Sequence, residues 1–195
     1  DVIIAKTRTP YYPFFPAIVN VPAEVYGGTE PNGKLLVAFY KNTVHSTPSE
    51  EYPFGTICLV ESTDNGLTWS EPVEILSSDI LLSYGIGTEE FPVEPRDPNF
   101  ALLNDGTVLL TFFTRRYATD RYLRVYICES RDGGKTWSVP QEVISNDLDA
   151  WLAKRGDIAV FEDDEILVPV YGGTTSDTSS TVRLIRGVRG GNGKW

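Results

Sequence analysis

ESRDGGKTWSVP, residues 129–140, places an acidic residue, two glycines, a threonine and a tryptophan between Ser130 and Trp137. A near copy, ESTDNGLTWSEP, occupies residues 61–72. An alternating run precedes each copy, LRVYICES (123–130) and TICLVES (56–62), and a shorter one follows, SVPQEVI and EPVEIL. Period-two runs on both sides of a glycine-bearing turn read as β-hairpins. In such a turn Asp and Thr side chains bond nearby backbone groups, glycine supplies positive φ, and Trp covers apolar surface. Asp64 and Asp132 are therefore expected to form turns, not to react.

Outward from these turns the chain repeats. Aligned on Trp69, Trp137 and Trp195, three units emerge, and Gly190 to Trp195 reads as a decayed third copy of the turn. The second unit runs PNFALL, the tight-turn signal NDG (104–106), TVLLTFFT, the polar RRYATD, LRVYICES, the turn and SVPQEVI. The third gives DIAVF, EDDE, ILVPVY, a polar stretch and VRLIRGV, and the first gives PAIVNV, KLLVAFY, TICLVES and EPVEIL. Four short antiparallel strands per unit, repeated, is how a β-propeller is written. A β-sandwich also has many short strands but gives no reason for a repeated turn. The expected fold is all-β, with about three blades over residues 10–76, 95–144 and 155–195, the last incomplete. Within a blade of strands A to D, the A–B and C–D turns share one end. The B–C loops and the starts of the A strands lie at the other.

Composition narrows the function. With 17 basic and 27 acidic residues the chain carries a net charge of −10, which disfavours a nucleic-acid surface. A small anionic ligand remains compatible, because a few arginines can converge locally. No apolar run approaches the roughly 20 residues of a membrane-spanning helix. The chain starts at Asp1 and contains no Met, as a processed secreted or periplasmic protein or an excised segment would. Cys58 and Cys128 sit in apolar runs, so buried free thiols are expected rather than a bridge. With one histidine, His45, in a polar loop, neither a zinc site nor another metal or cofactor is expected.

The pattern Ser-x-Asp-x-Gly-x-Thr-Trp, present as Ser62, Asp64, Gly66, Thr68, Trp69 and as Ser130, Asp132, Gly134, Thr136, Trp137, resembles the Asp-box (BNR repeat) of sialidases and their relatives. RDPNFALLNDGTVLLTFF (96–113) and RGDIAVFEDDEILVPVYGG (155–173) look like blade openings of sialidase-like glycoside hydrolases. The resemblance implies a six-bladed propeller, which at about 60–70 residues per blade needs roughly 400 residues. About half is present, so the remaining blades, or a second copy, are expected partners. In sialidases a tyrosine nucleophile, a glutamate, an acid/base aspartate and three arginines act on the sugar. The Tyr–Glu pair and two arginines come from later blades. The first-blade arginine position falls in PFFPAIV (13–19), where Phe14 stands. The first B–C loop, KNTVHSTPSEEYPF (41–54), holds Glu50 and Glu51 but no Asp. The resemblance thus implies an exo-acting, sialidase-like glycoside hydrolase that departs from true sialidases. The alternative is a non-catalytic glycan-binding or protein-interaction propeller.

Strand order directs the search for a site to the end opposite the repeated turns. There Arg96 and Asp97 open the second A strand, and Arg155 and Asp157 the third, as a ligand grip or as inter-blade salt bridges. Arg96 is the candidate substrate anchor. Glycoside hydrolysis wants two carboxyl groups, and the candidates are Asp97, Glu50 and Glu51, with Asp157, Glu89 and Glu90 on the same face. Glu89 and Glu90 belong to the long crossing SSDILLSYGIGTEEFPVEP (77–95), which exceeds an ordinary connection. Arg115, Arg116, Tyr117 and Asp120 in the second B–C loop, and Tyr171, are possible subsite residues.

Overall fold

A computed structural model describes residues 3–4, 11–43, 54–116, 123–145, 148, 150–176, 179–190 and 195. It is all-β and propeller-like, built from three antiparallel sheets. The first sheet holds β1 (Tyr12–Val21), β2 (Lys34–Asn42), β3 (Thr56–Ser62) and β4 (Val73–Leu76), hydrogen-bonded in that order. The second repeats this order with β5 (Val93–Leu102), β6 (Val108–Arg116), β7 (Leu123–Ser130) and β8 (Gln141–Val143). In the third, β11 (Ile166–Gly173) pairs on one side with β12 (Thr181–Gly187). On its other side it pairs with both β9 (Trp151–Lys154) and β10 (Ala159–Val160). Those two are one strand interrupted at residues 155–158.

Two starts differ from the sequence expectation. The second sheet begins at Val93, not Pro95, because β5 pairs only with β6 and an edge strand tolerates a proline. The third begins at Trp151, ahead of Arg155, where a four-residue run is too short to signal a strand. The crossing at 77–95 is also not a bare loop. It contains a helix, α2 (Ser78–Ser83), whose N-cap Ser77 hydroxyl accepts from the Ile80 N–H at 3.3 Å. Leu81 anchors α2 in the core, while Glu89 and Glu90 are exposed. A second short helix, α1 (Ala23–Tyr26), lies in the β1–β2 connection.

The core lies between sheets. Leu36, Ala38 and Ile57 of the first sheet pack against Val108, Leu110 and Phe112 of the second. Leu109, Val125 and Ile127, on the opposite face of the second sheet, pack against Ile166, Val168 and Val170 of the third. Each central strand is therefore apolar on both faces, which is why β2 and β6 read as nearly continuous hydrophobic runs. Cys58 and Cys128 are buried and unbridged.

Candidate functional site

Every sheet breaks its first strand at the same point. β1 shifts register between Phe14 and Ala17, and β5 between Arg96 and Asn99. The third sheet stops pairing at Lys154 and resumes at Ala159. Phe14, Arg96 and Lys154 are thus equivalent, each the last residue paired before its bulge. Phe15, Asp97 and Arg155 follow them. Phe15 adopts φ 51 and Asp97 φ 48, in the left-handed region that non-glycine residues rarely occupy. Pro16 and Pro98 come next, in bulge positions where a ladder N–H is not required.

The three bulges meet. Arg155 of the third sheet sets its Nη2 3.3 Å from Asp97 Oδ2 of the second. The same guanidinium lies 5.4 Å over the Phe15 ring of the first. Residues 15, 97 and 155 therefore converge at one end, shared with the start of β1 and the finish of β2.

Beneath them lies a buried polar cluster. Glu94 accepts from the Tyr40 hydroxyl at 2.7 Å and from the Gly55 N–H at 2.8 Å, both at Oε2. Its other oxygen, Oε1, lies 3.4 Å from Arg96 Nε. The Asn42 amide donates to the Tyr40 hydroxyl at 2.6 Å, and the Arg96 guanidinium covers the Tyr40 ring at 4.8 Å. Arg115 is the direct cross-strand partner of Glu94. Burial raises the Glu94 carboxyl above its ordinary value, against the pull of Arg96, the Gly55 N–H and Tyr40. Burial likewise raises the Tyr40 phenol, with the Glu94 charge adding to it. Arg115 is lowered by burial first and by the Arg96 charge next.

Lys154 is almost fully buried and donates from Nζ to the Gly156 carbonyl. Burial brings its ammonium down to about 8, although Asp157 and Asp97 pull the other way. Four cationic side chains (Arg96, Arg115, Lys154, Arg155) and three carboxyls (Glu94, Asp97, Asp157) thus belong to this end of an otherwise acidic chain.

The expected residues fall unevenly around this cluster. Arg96, Asp97, Arg115 and Arg155 belong to it. Asp157 is exposed on the third bulge, and Arg155 is not the counterpart of Arg96, because Lys154 holds that register position. Arg96 bonds within its own sheet, whereas Arg155 makes the inter-sheet ion pair with Asp97. Arg116 stacks 4.9 Å over Phe91, and Tyr171 meets Trp151 edge-on at 5.6 Å. Glu50, Glu51, His45, Tyr117 and Asp120 lie outside the described residues. Sequence reasoning missed Glu94, Tyr40 and Lys154. Glu94 had a signal, since it sits two residues from Arg96 and so on the same strand face. Tyr40 was hidden in an apolar run.

The repeated turns occupy the other end. Ser62 and Ser130 donate their hydroxyls to Asp64 and Asp132, both at 2.8 Å, and accept the N–H groups of Gly66 and Gly134. The two aspartates accept in turn from the N–H groups of Thr68 and Thr136, at 2.8 and 2.9 Å, and from both threonine hydroxyls. These carboxylates are consumed by their own turns. Among the described residues no group of His, Cys, Asp and Glu could hold a metal ion, and no helix is long and apolar enough to cross a membrane.

No protein-family model and no curated protein matches the chain. Solved structures do. A protein of unknown function from Dyadobacter fermentans DSM 18053 superposes with a TM-score of 0.65 at 17% identity, over 95% of this chain and 54% of that one. The Hadza microbial sialidase Hz136 gives 0.63 at 16%, over 91% of this chain and 35% of the sialidase. Zg3597, a family 117 glycoside hydrolase of Zobellia galactanivorans, gives 0.60 at 12%, over 93% and 55%. The chain therefore spans about half or less of the length of these proteins. At such identities the likeness shows the fold alone, one that this chain shares with a sialidase and a family 117 glycoside hydrolase.

Proposed function

We propose that the chain is part of a glycan-acting propeller of the sialidase-like exo-glycoside hydrolase type, with its ligand at the bulge end. On this reading the three sheets are blades of a six-bladed ring and the turns at 62–69 and 130–137 are Asp-boxes. The outer face of β12, with Val182 and Leu184 exposed, is where a further blade or a second copy would pack. The observation that carries the reading is the convergence of Phe15, Asp97 and Arg155, from three sheets, over a buried arginine–glutamate–tyrosine cluster. Arg96 anchors the ligand, held in place by Glu94 and the Tyr40 ring, and Arg115, Arg155 and Lys154 add positive charge. Asp97 is the carboxylate nearest the ligand.

A non-catalytic glycan-binding propeller is the second reading. It is favoured by Phe14 where a sialidase-like arginine would stand and by the engagement of Asp97 with Arg155. A glycan array and a glycan-hydrolysis assay on the full chain separate the two. Turnover that falls at least tenfold in Arg96→Lys supports the hydrolase. Binding without turnover supports the second reading, and neither binding nor turnover rejects both.

A further inference from the structure

The turns at 62–69 and 130–137 differ at the residue before their shared glycine. Asn65 stands there in the first and Gly133 in the second, and both have positive φ, 59 and 70. Glycine enters that region freely, and asparagine is among the few other residues that do. Position 133 has room for nothing larger than glycine, because a Cβ there would lie 2.7 Å from Tyr26 Cβ of α1. Asn65 is exposed, and its Oδ1 accepts from Asn32 Nδ2 at 3.0 Å. Of the two turns, only the first therefore contains an Asn-Gly step.

Asparagine is chemically labile, because the amide nitrogen that follows it can attack its side-chain carbonyl carbon, and glycine obstructs that attack least. Asn32-Gly33, in the β1–β2 connection, is a second such step, and the two are held differently. Gly33 is buried, and a Cβ on it would meet the Val21 carbonyl oxygen at 2.2 Å, so backbone packing pins that peptide. Around Gly66 the nearest atom to such a Cβ is Leu35 Cδ1, at 3.5 Å. The Gly66 N–H is held instead by the Ser62 hydroxyl, which accepts it at 2.9 Å. Asn32 meanwhile donates to the oxygen on which negative charge gathers during attack, the place of an oxyanion donor.

We propose that Asn65 is a deamidation site whose rate is set by opening of the Gly66–Ser62 hydrogen bond. Once released, Gly66 N bonds to Asn65 Cγ and gives its proton to solvent, the Cγ–Nδ2 bond breaks, and the side-chain nitrogen leaves as ammonia. Water then opens the cyclic imide at either carbonyl, leaving aspartate or isoaspartate at position 65. Isoaspartate adds a methylene to the backbone of a turn whose Ser62, Asp64, Gly66 and Thr68 are bonded to one another, and those bonds cannot all close around it. The first turn therefore ages, and the second, with Gly133, does not.

Peptide mapping by mass spectrometry, during incubation of the full chain at mildly alkaline pH, tests it. In the folded chain, conversion at Asn65 is expected to outrun conversion at Asn32 at least tenfold, and in urea the two are expected to become equal. Ser62→Ala is expected to speed conversion at Asn65 about fivefold, as loss of one hydrogen bond allows. Ser62→Thr, which keeps the hydroxyl, is expected to match the parent. Asn65→Gly, which copies Gly133, is expected to abolish the conversion and to keep a constant melting temperature on incubation while that of the parent falls. Circular dichroism establishes that each variant is folded. Faster conversion at Asn32 than at Asn65, or equal rates in the parent and folded Ser62→Ala, overturns the proposal. So does a folded parent in which Asn65 stays intact while the chain in urea converts.

Discussion

Asp132 and Lys154 show how differently one charged residue behaves at the two ends of these sheets. Asp132 accepts four hydrogen bonds, from the Ser130 and Thr136 hydroxyls and from the N–H groups of Lys135 and Thr136. Asp132→Ala removes them all and should cost about 1–3 kcal/mol in denaturant unfolding. Burial raises its carboxyl, but the Thr136, Ser130 and Lys135 bonds outweigh that and hold it below the ordinary value. A depressed folded-state value means the carboxylate's contribution is complete above the unfolded value and disappears as pH falls through the folded one. The stability gap between the parent and Asp132→Asn should therefore be constant near neutrality and close in acid. Lys154 has the opposite charge but the same sign of linkage. Its folded value of about 8 lies below its ordinary 10.5, so between those values the unfolded chain binds the extra proton and stability rises with pH. Lys154→Met should remove a slope of up to about 1.4 kcal/mol per pH unit in that window. Equal slopes in parent and variant would show that the ammonium is not desolvated.

At the scale of the element, the repeated turns have similar sequences but different surroundings. Gly66 and Gly134 both require positive φ, 83 and 90. A Cβ at Gly134 would meet Leu36 Cδ1 of the first sheet at 2.8 Å, whereas at Gly66 the nearest atom is 3.5 Å away. Gly134→Ala should thus destabilise more than Gly66→Ala, by about 1 kcal/mol or more, because overpacking adds to the shared backbone strain. Equal losses in thermal melts would place the whole cost in φ. The turns, the hairpins around them and the strand order were legible in the sequence, because period-two runs and Asp-Gly chemistry are local signals. The bulges were not. The dipeptides Phe15-Pro16 and Asp97-Pro98 mark them only after their registers are compared, and the third bulge carries Gly156 instead of proline. That mismatch led sequence reading to align Arg155 with Arg96, where register aligns Lys154. The burial of Glu94 beside Tyr40 depends on contact between β2 and β5, which no local pattern reports.

Across the whole molecule, architecture and the proposed function divide between two ends. The turn end spends its acidic groups on its own backbone. The bulge end gathers unlike charges, strained residues and half-buried aromatic rings from three sheets. Identities of 16% to the solved sialidase and 12% to the family 117 glycoside hydrolase show a shared fold alone. The central claim is that ligands meet the bulge end. Amide chemical-shift mapping of the isotope-labelled chain during titration with sialyllactose tests it most directly. The account predicts shifts concentrated at residues 12–15, 96–97 and 154–156, with the turns at 62–69 and 130–137 unmoved. Shifts confined to those turns would contradict it.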